Sequence, residues 1–102
     1  MSPRHVPATQ AELSRIGLLA ELPGERLNEL AQRLRREQLA PNGSPDADAV
    51  WGVVLSGIVS AGGALLRPGD TIPDPSSARA VTPAVVATAD APTYDELLRP
   101  LL

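Results

Sequence analysis

The feature that most constrains this chain is an uncharged run over residues 49–66, which glycines and serines interrupt repeatedly. A run of this length has to be tested first as a membrane span, which needs about 20 predominantly apolar residues. The interruptions dilute its hydrophobicity, and Gly62-Gly63 is typical of a two-residue hairpin turn. The run therefore predicts no membrane segment but a buried strand around 50–55, a bend at Ser56-Gly57, a second strand around 58–61 and its return partner around 64–66.

Two helices are predicted before this run, after a flexible tail over residues 1–8. Thr9 and Glu12 have the spacing of a capping box and predict a helix over about 9–16, which Gly17 ends. Pro23 suits the first turn of a second helix, predicted over about 23–38. Its apolar residues recur at helical spacing and predict one buried stripe, Leu27, Leu30, Ala31 and Leu34.

The second half of the chain is punctuated by proline, glycine and aspartate. Arg67-Pro-Gly-Asp predicts a turn, and residues 71–77 are too rich in proline for a regular element. Two short edge strands are predicted on either side of Pro83, and Thr93 begins a second capping box that opens a closing helix over about 93–99. Residues 9–102 thus predict a single domain, mainly β with flanking helices, whose β region covers about 49–88.

Composition excludes several classes of function. The chain has no cysteine, which excludes disulfides and thiolate metal sites. Arg33, Arg35 and Arg36 form its only basic cluster, and no aromatic residue is interleaved with them, so no nucleic-acid contact is predicted. The first residues lack the apolar run of a signal peptide, which favours the cytoplasm.

No catalytic or metal site is predicted. The only histidine, His5, has no patterned carboxylate neighbour, and no serine has a partnered base, so the chain is not expected to be an enzyme. Asp46 and Asp48 alternate as in a calcium loop, but the glycine and distal glutamate of that motif do not follow. We therefore expect no metal and no cofactor.

Several segments, in order, resemble the cyclic-nucleotide-binding domain family. The opening of that family is similar to residues 16–31, an apolar linker followed by a helix with leucines at this spacing. Its central strand, which ends in Ser-Gly, resembles residues 48–59, and Arg67-Pro-Gly-Asp-Thr-Ile resembles the turn before its phosphate-binding cassette. Residues 84–98 resemble its last strand and following helix. The resemblance implies a truncated double-stranded β-helix, or jelly roll.

The resemblance also locates a vestigial ligand site at Gly69, Asp70, Asp74 and Arg79. The family's cassette uses amides at the start of a short helix, a Gly-Glu for the ribose and an arginine for the cyclic phosphate. Pro73-Asp74 stands where Gly-Glu would be, and only four residues separate Asp74 from Arg79, which is too few for the cassette helix. A hairpin is also missing before the central strand. Binding of a cyclic nucleotide is therefore not expected.

These observations predict a non-enzymatic protein-interaction or structural module, working as a subunit of a larger assembly. Its partner is expected to be another protein or a second copy of the chain, with no nucleic acid or membrane involved. The alternative is a sensor domain that binds a cyclic nucleotide or another small anion through Arg79 and nearby amides. That alternative requires a concave pocket around residues 70–80.

Overall fold

The computed structural model describes Leu13, residues 17–20 and residues 22–101. Within that part, two short helices precede seven strands, and a helical segment follows the last strand. The helices are α1 (Gly17–Ala20), α2 (Gly24–Arg33) and α3 (Ala91–Thr93), and α3 continues through a π-helical turn (Tyr94–Leu98) into a 3₁₀ turn (Arg99–Leu101). The strands are β1 (Arg35–Leu39), β2 (Trp51–Ser56), β3 (Val59–Ala61), β4 (Ala64–Leu66), β5 (Thr71–Ile72), β6 (Arg79–Ala80) and β7 (Ala84–Ala89), with a 3₁₀ helix (Pro75–Ser77) before β6.

The elements form three layers. A four-stranded sheet of order β1-β7-β2-β5 lies between the helices and a three-stranded sheet of order β4-β3-β6, and every pairing is antiparallel. Side chains alternate between the two faces of a strand, so β2 and β7 supply both cores. The helical core contains Leu13, Leu19, Leu27, Leu30, Ala31, Leu34, Trp51, Val53, Ala87, Ala89 and Leu98. The core between the sheets, called here the inter-sheet core, contains Leu39, Val54, Val59, Ile72, Ala78, Ala80, Ala84 and Val86.

The strand predictions for the uncharged run are confirmed. β2, β3 and β4 lie where the pattern placed them, and Gly62 and Gly63 have φ values of 57° and 83°, as a type I′ hairpin requires. The bend also lies where predicted, because pairing with β7 shifts register between Val54 and Ser56 and Gly57 has φ 80°. The fold class, mainly β with flanking helices, is therefore confirmed.

The second helix is shorter than predicted. Its stripe is buried as expected, but α2 ends at Arg33 instead of about 38, because Leu34 takes an extended conformation with ψ 138°. Residues 35–39 form β1, which pairs with β7 over five positions. The predicted end was wrong because these long polar side chains suit a helix locally, while the ladder with β7 satisfies their backbone groups in a strand.

β7 is not the edge strand that the sequence predicted. It lies between β1 and β2, and five of its six residues are buried. Proline at position 83 falls in the connection before the strand, where it breaks no ladder hydrogen bond. Pro83 therefore separates β6 from β7 as expected, but it does not place β7 at an edge.

The two ends of the domain also differ from prediction. The closing helix begins at Ala91 instead of about 93, because Asp90 and not Thr93 caps it, and the Thr93 amide donates to Asp90 Oδ1 at 3.0 Å. At the other end, the predicted tail over 1–8 and most of the helix over 9–16 lie outside the described residues. Leu13 is helical and buried, and Gly17, expected to end that helix, is itself helical.

The loop after β1 occupies part of the position of the hairpin that the sequence predicted to be missing. Jelly rolls have about eight strands, and in residues 22–101 the structure forms seven. The Asn42 amide donates to the Ala80 carbonyl at 2.7 Å, and the Ala80 amide donates to the Gly43 carbonyl at 2.9 Å. The loop after β1 therefore pairs with the outer edge of β6 at Ala80.

Candidate functional site

The turn that precedes the predicted cassette is held by its own hydrogen bonds. Gly69 has φ 97°, and the Asp70 amide donates to the Arg67 carbonyl at 2.9 Å. The Asp70 carboxylate accepts the Arg67 amide at 2.9 Å, while the Gly69 amide donates to the Val54 carbonyl at 2.8 Å. Gly69 and Asp70 thus fix the turn against β2, and neither of their amides is left for a ligand.

The predicted position of the cassette helix holds the single 3₁₀ turn of residues 75–77. Asp74 Oδ1 accepts the Ser76 amide at 3.2 Å and the Ser76 hydroxyl at 2.5 Å. The Ser77 amide donates to the Asp74 carbonyl and the Ala78 amide to the Pro75 carbonyl, both at 3.1 Å. Proline has no amide hydrogen. Every amide of this turn is therefore paired within it, and a carboxylate caps the end that an anion would approach.

Arg79 lies on the opposite side of its strand from the inter-sheet core. Its neighbours Ala78 and Ala80 are buried in that core, whereas Arg79 is exposed and pairs in register with Ser60. Its guanidinium has no hydrogen-bond or ion-pair partner among the described residues. The structure records no contact that joins Arg79 to Gly69, Asp70 or Asp74, and their role in ligand binding stays a prediction.

The space between the sheets is filled by apolar side chains. Val54, Val59, Ile72 and Val86 have no exposed surface there. Cavities of about 250, 260 and 530 Å³ lie elsewhere among the described residues, and none of these three is lined by residues 69–79. The largest is an open groove at the ends of β1 and β2, lined by Gln38, Leu39, Ala40, Ser56, Pro83, Ala84 and Val85.

A polar cluster that sequence reasoning missed closes one end of the roll. Glu37 accepts the Thr88 hydroxyl at 2.6 Å and the Asp46 amide at 2.9 Å. Asp46 in turn binds Arg35 at 2.6 Å. Residues 35–38 are all long and polar or charged, so no alternation of apolar and polar residues marked this strand in the sequence. The cluster ties the loop over 41–48 to β1 and β7.

Asp90, at the start of α3, supports a prediction about pH. Hydrogen bonds from the Thr93 hydroxyl and amide lower the pKa of Asp90 below its ordinary value of 3.8. A carboxyl whose pKa is lower in the folded state stabilises the fold above its unfolded pKa, and that stabilisation is lost as the pH falls through the folded pKa.

We therefore expect Asp90→Ala to lower the free energy of unfolding by about 1 kcal/mol at pH 7. Asp90→Asn keeps an oxygen that accepts the amide, so we expect it to retain most of this stability while losing the pH dependence below 3.8. Urea unfolding at pH 3 and pH 7 measures both effects. Equal pH dependence in the wild type and Asp90→Asn would contradict the assignment.

The described residues contain neither a group of metal ligands nor a membrane-spanning helix. In that part of the chain, no three histidine, cysteine, aspartate or glutamate side chains are grouped so that they could hold a metal ion. None of the helices in residues 13, 17–20 and 22–101 is long and apolar enough to cross a membrane.

Comparison with solved structures shows the fold. The chain is similar to the regulatory subunit of a cAMP-independent protein kinase A from Trypanosoma brucei, with TM-score 0.74 and 18% identity over 90% of this chain and 41% of that one. It is also similar to the regulatory domain of Toxoplasma gondii protein kinase A with cAMP, with TM-score 0.69 and 15% identity over 90% of this chain and 44% of that one. The expected cyclic-nucleotide-binding-type roll is thus confirmed as the fold.

A third similar structure belongs to an enzyme. It is a cAMP-binding acyltransferase from Mycobacterium smegmatis, with TM-score 0.59 and 21% identity over 88% of this chain and 35% of that one. The chain therefore spans less than half the length of each of these three structures. No protein-family model matches the chain, and no curated protein does.

Proposed function

We propose that this chain is a non-enzymatic protein-interaction module in the cytoplasm, a roll of the cyclic-nucleotide-binding type that acts as a subunit of a larger assembly. The observation that carries the proposal is the hydrogen bonding of residues 74–78. The three amides of this turn donate to the turn itself, and Asp74 occupies its cap. A cyclic phosphate would meet a carboxylate where it needs free amide donors.

The filled space between the sheets supports the same proposal. Val54, Val59 and Ile72 leave no exposed surface there, so a purine or ribose would have to displace packed side chains. Arg79, the candidate partner for a phosphate, is exposed on the outer side of β6. The fold therefore serves as a scaffold whose outer surfaces contact other proteins.

A sensor of small anions is the second candidate, and the fold comparison favours it. Two of the similar structures are described as bound to cAMP or as cAMP-binding. In such a sensor Arg79 would have to turn inward, and the turn over 75–77 would have to open to release its amides.

A nucleotide titration separates the two candidates. We expect no change in the melting temperature with cyclic AMP or cyclic GMP at millimolar concentration. A ligand at about 100 times its Kd stabilises the native state by about 2.7 kcal/mol, which is several degrees for a domain of this size. The matched control is Arg79→Ala. A shift in the wild type that Arg79→Ala abolishes would restore the sensor.

The interaction half of the proposal is tested by purification from the native host with the tagged chain as bait. We expect another protein to co-purify in a fixed ratio to the bait. Recovery of the chain alone, as a monomer of its own mass, would contradict the proposal.

A further inference from the structure

The outer face of the three-stranded sheet carries the most exposed apolar side chains in the part of the chain that the structure describes. Ser60 pairs in register with Leu65 on one side and Arg79 on the other. Val59 and Ala80 alternate with these residues and lie in the inter-sheet core, so Ser60, Leu65 and Arg79 point outward. Ile58, Arg67 and Val81 lie one position beyond the ends of β3, β4 and β6, and they extend the same register and alternation by one residue.

Its apolar residues are strongly exposed. Leu65 is 63% exposed and Val81 51%. Ile58 lies beside Val81, since the Val81 amide donates to the Ile58 carbonyl at 2.9 Å, and it is half-buried. Because the other side of the sheet already packs on the four-stranded sheet, the side chains of Leu65 and Val81 are left largely uncovered by the described fold, while Ile58 is partly covered.

Arginines lie at two positions of this face. Arg67 and Arg79 are exposed, and neither forms an ion pair with another described residue. Arg33, Arg35 and Arg99, in contrast, pair with Glu96, Asp46 and Asp95. The acid nearest to Arg67 in sequence is Asp70, whose carboxylate accepts the backbone amide of Arg67.

We propose that this outer face binds a segment of another protein in which apolar side chains are flanked by aspartate or glutamate. The proposal rests on the proposed function and adds to it the surface and the chemistry of the partner. Arginine forms bidentate pairs with carboxylates and is enriched at protein interfaces, where apolar groups form the centre. The charge of the face selects an acidic segment over a basic one.

The test compares variants of the bait during capture from the native host. The two disrupting variants are Arg67→Glu with Arg79→Glu, and Leu65→Ser with Val81→Ser. The control is Arg26→Glu, the charge reversal of a single arginine on α2, which lines a groove with Leu22, Pro23, Leu30, Glu96, Leu97 and Pro100. All the changed side chains are exposed, and the half-buried Ile58 is left intact. Circular dichroism is used to check that each variant folds.

We expect each disrupting variant to capture at least tenfold less partner and Arg26→Glu to capture as much as the wild type. Loss of capture with Arg26→Glu alone would place the partner on the helical groove, which overturns this proposal and leaves the proposed function standing. Failure of the wild type to capture any protein would contradict both.

The chemistry of the partner is read by cross-linking. A photo-reactive phenylalanine analogue replaces Val81 in the bait, and the segment attached to it is sequenced by mass spectrometry. We expect an apolar segment with acidic residues on both sides. A basic segment, or a cross-link to a second copy of this chain, would overturn the proposal.

Discussion

Replacing Gly57 with alanine is expected to lower the free energy of unfolding by about 2 to 5 kcal/mol, which approaches the whole stability of a small domain. Gly57 has φ 80°, and a Cβ atom there would overlap the Pro83 carbonyl oxygen and lie 2.7 Å from Ala84 Cα. Both contacts are with backbone, which no rotamer change relieves. The backbone of the bend would have to separate from the start of β7.

Gly62→Ala is the matched control for this change. Gly62 also has positive φ, but a Cβ atom there would meet nothing within 4 Å. We expect it to lower the free energy of unfolding by only about 1 to 2 kcal/mol. Urea unfolding followed by the fluorescence of Trp51, the only tryptophan, measures both variants. Equal losses would show that the close approach of Gly57 to Pro83 is not what constrains the bend.

Glu37→Ala is expected to lower the free energy of unfolding by about 2 to 4 kcal/mol, because it leaves two donors without an acceptor. The Thr88 hydroxyl is the more costly of these, since Thr88 is 3% exposed. The Asp46 amide is the other donor. Without its hydrogen bond to Glu37, Asp46 loses a contact that positions it for the ion pair with Arg35. The loop over 41–48 should then become sensitive to proteases.

Glu37→Gln provides the control, because glutamine retains both hydrogen bonds. Its carbonyl oxygen accepts the Asp46 amide, and its amide group donates to the Thr88 hydroxyl. We expect a loss of about 1 kcal/mol or less and no change in the rate of proteolysis of the loop. If Glu37→Ala were no less stable than Glu37→Gln, the cluster would not be holding the loop.

The elements that could be predicted from the sequence are those fixed by nearby residues. The hairpin around Gly62-Gly63 was predictable because the turn and its two strands are adjacent in the chain. The end of α2 was not, because the strand conformation of residues 35–39 depends on β7, and Glu37 lies 51 positions from its partner Thr88. Local helix propensity says nothing about a pairing at that distance.

The candidate site, too, could be predicted only where residues close in sequence determine its structure. The turn at Arg67–Asp70 was predicted and is confirmed. The way in which Asp70 and Asp74 use their carboxylates became visible only in the structure, although Asp74-Pro75-Ser76 has the pattern of a cap followed by proline at the first helical position. The outward direction of Arg79 follows from its register with Ser60, which the sequence does not specify.

The central place of β7 in its sheet determines when this domain can fold during synthesis. β1 and β2 do not pair with each other, and only β7, which is made after both of them, joins β1 to the rest of the sheet. A ribosome therefore has to release residues up to Ala89 before the four-stranded sheet can close. Until then β2 lacks one of its two neighbours and both cores lack the residues that β7 supplies, and incompletely covered apolar surface of this kind is prone to aggregation.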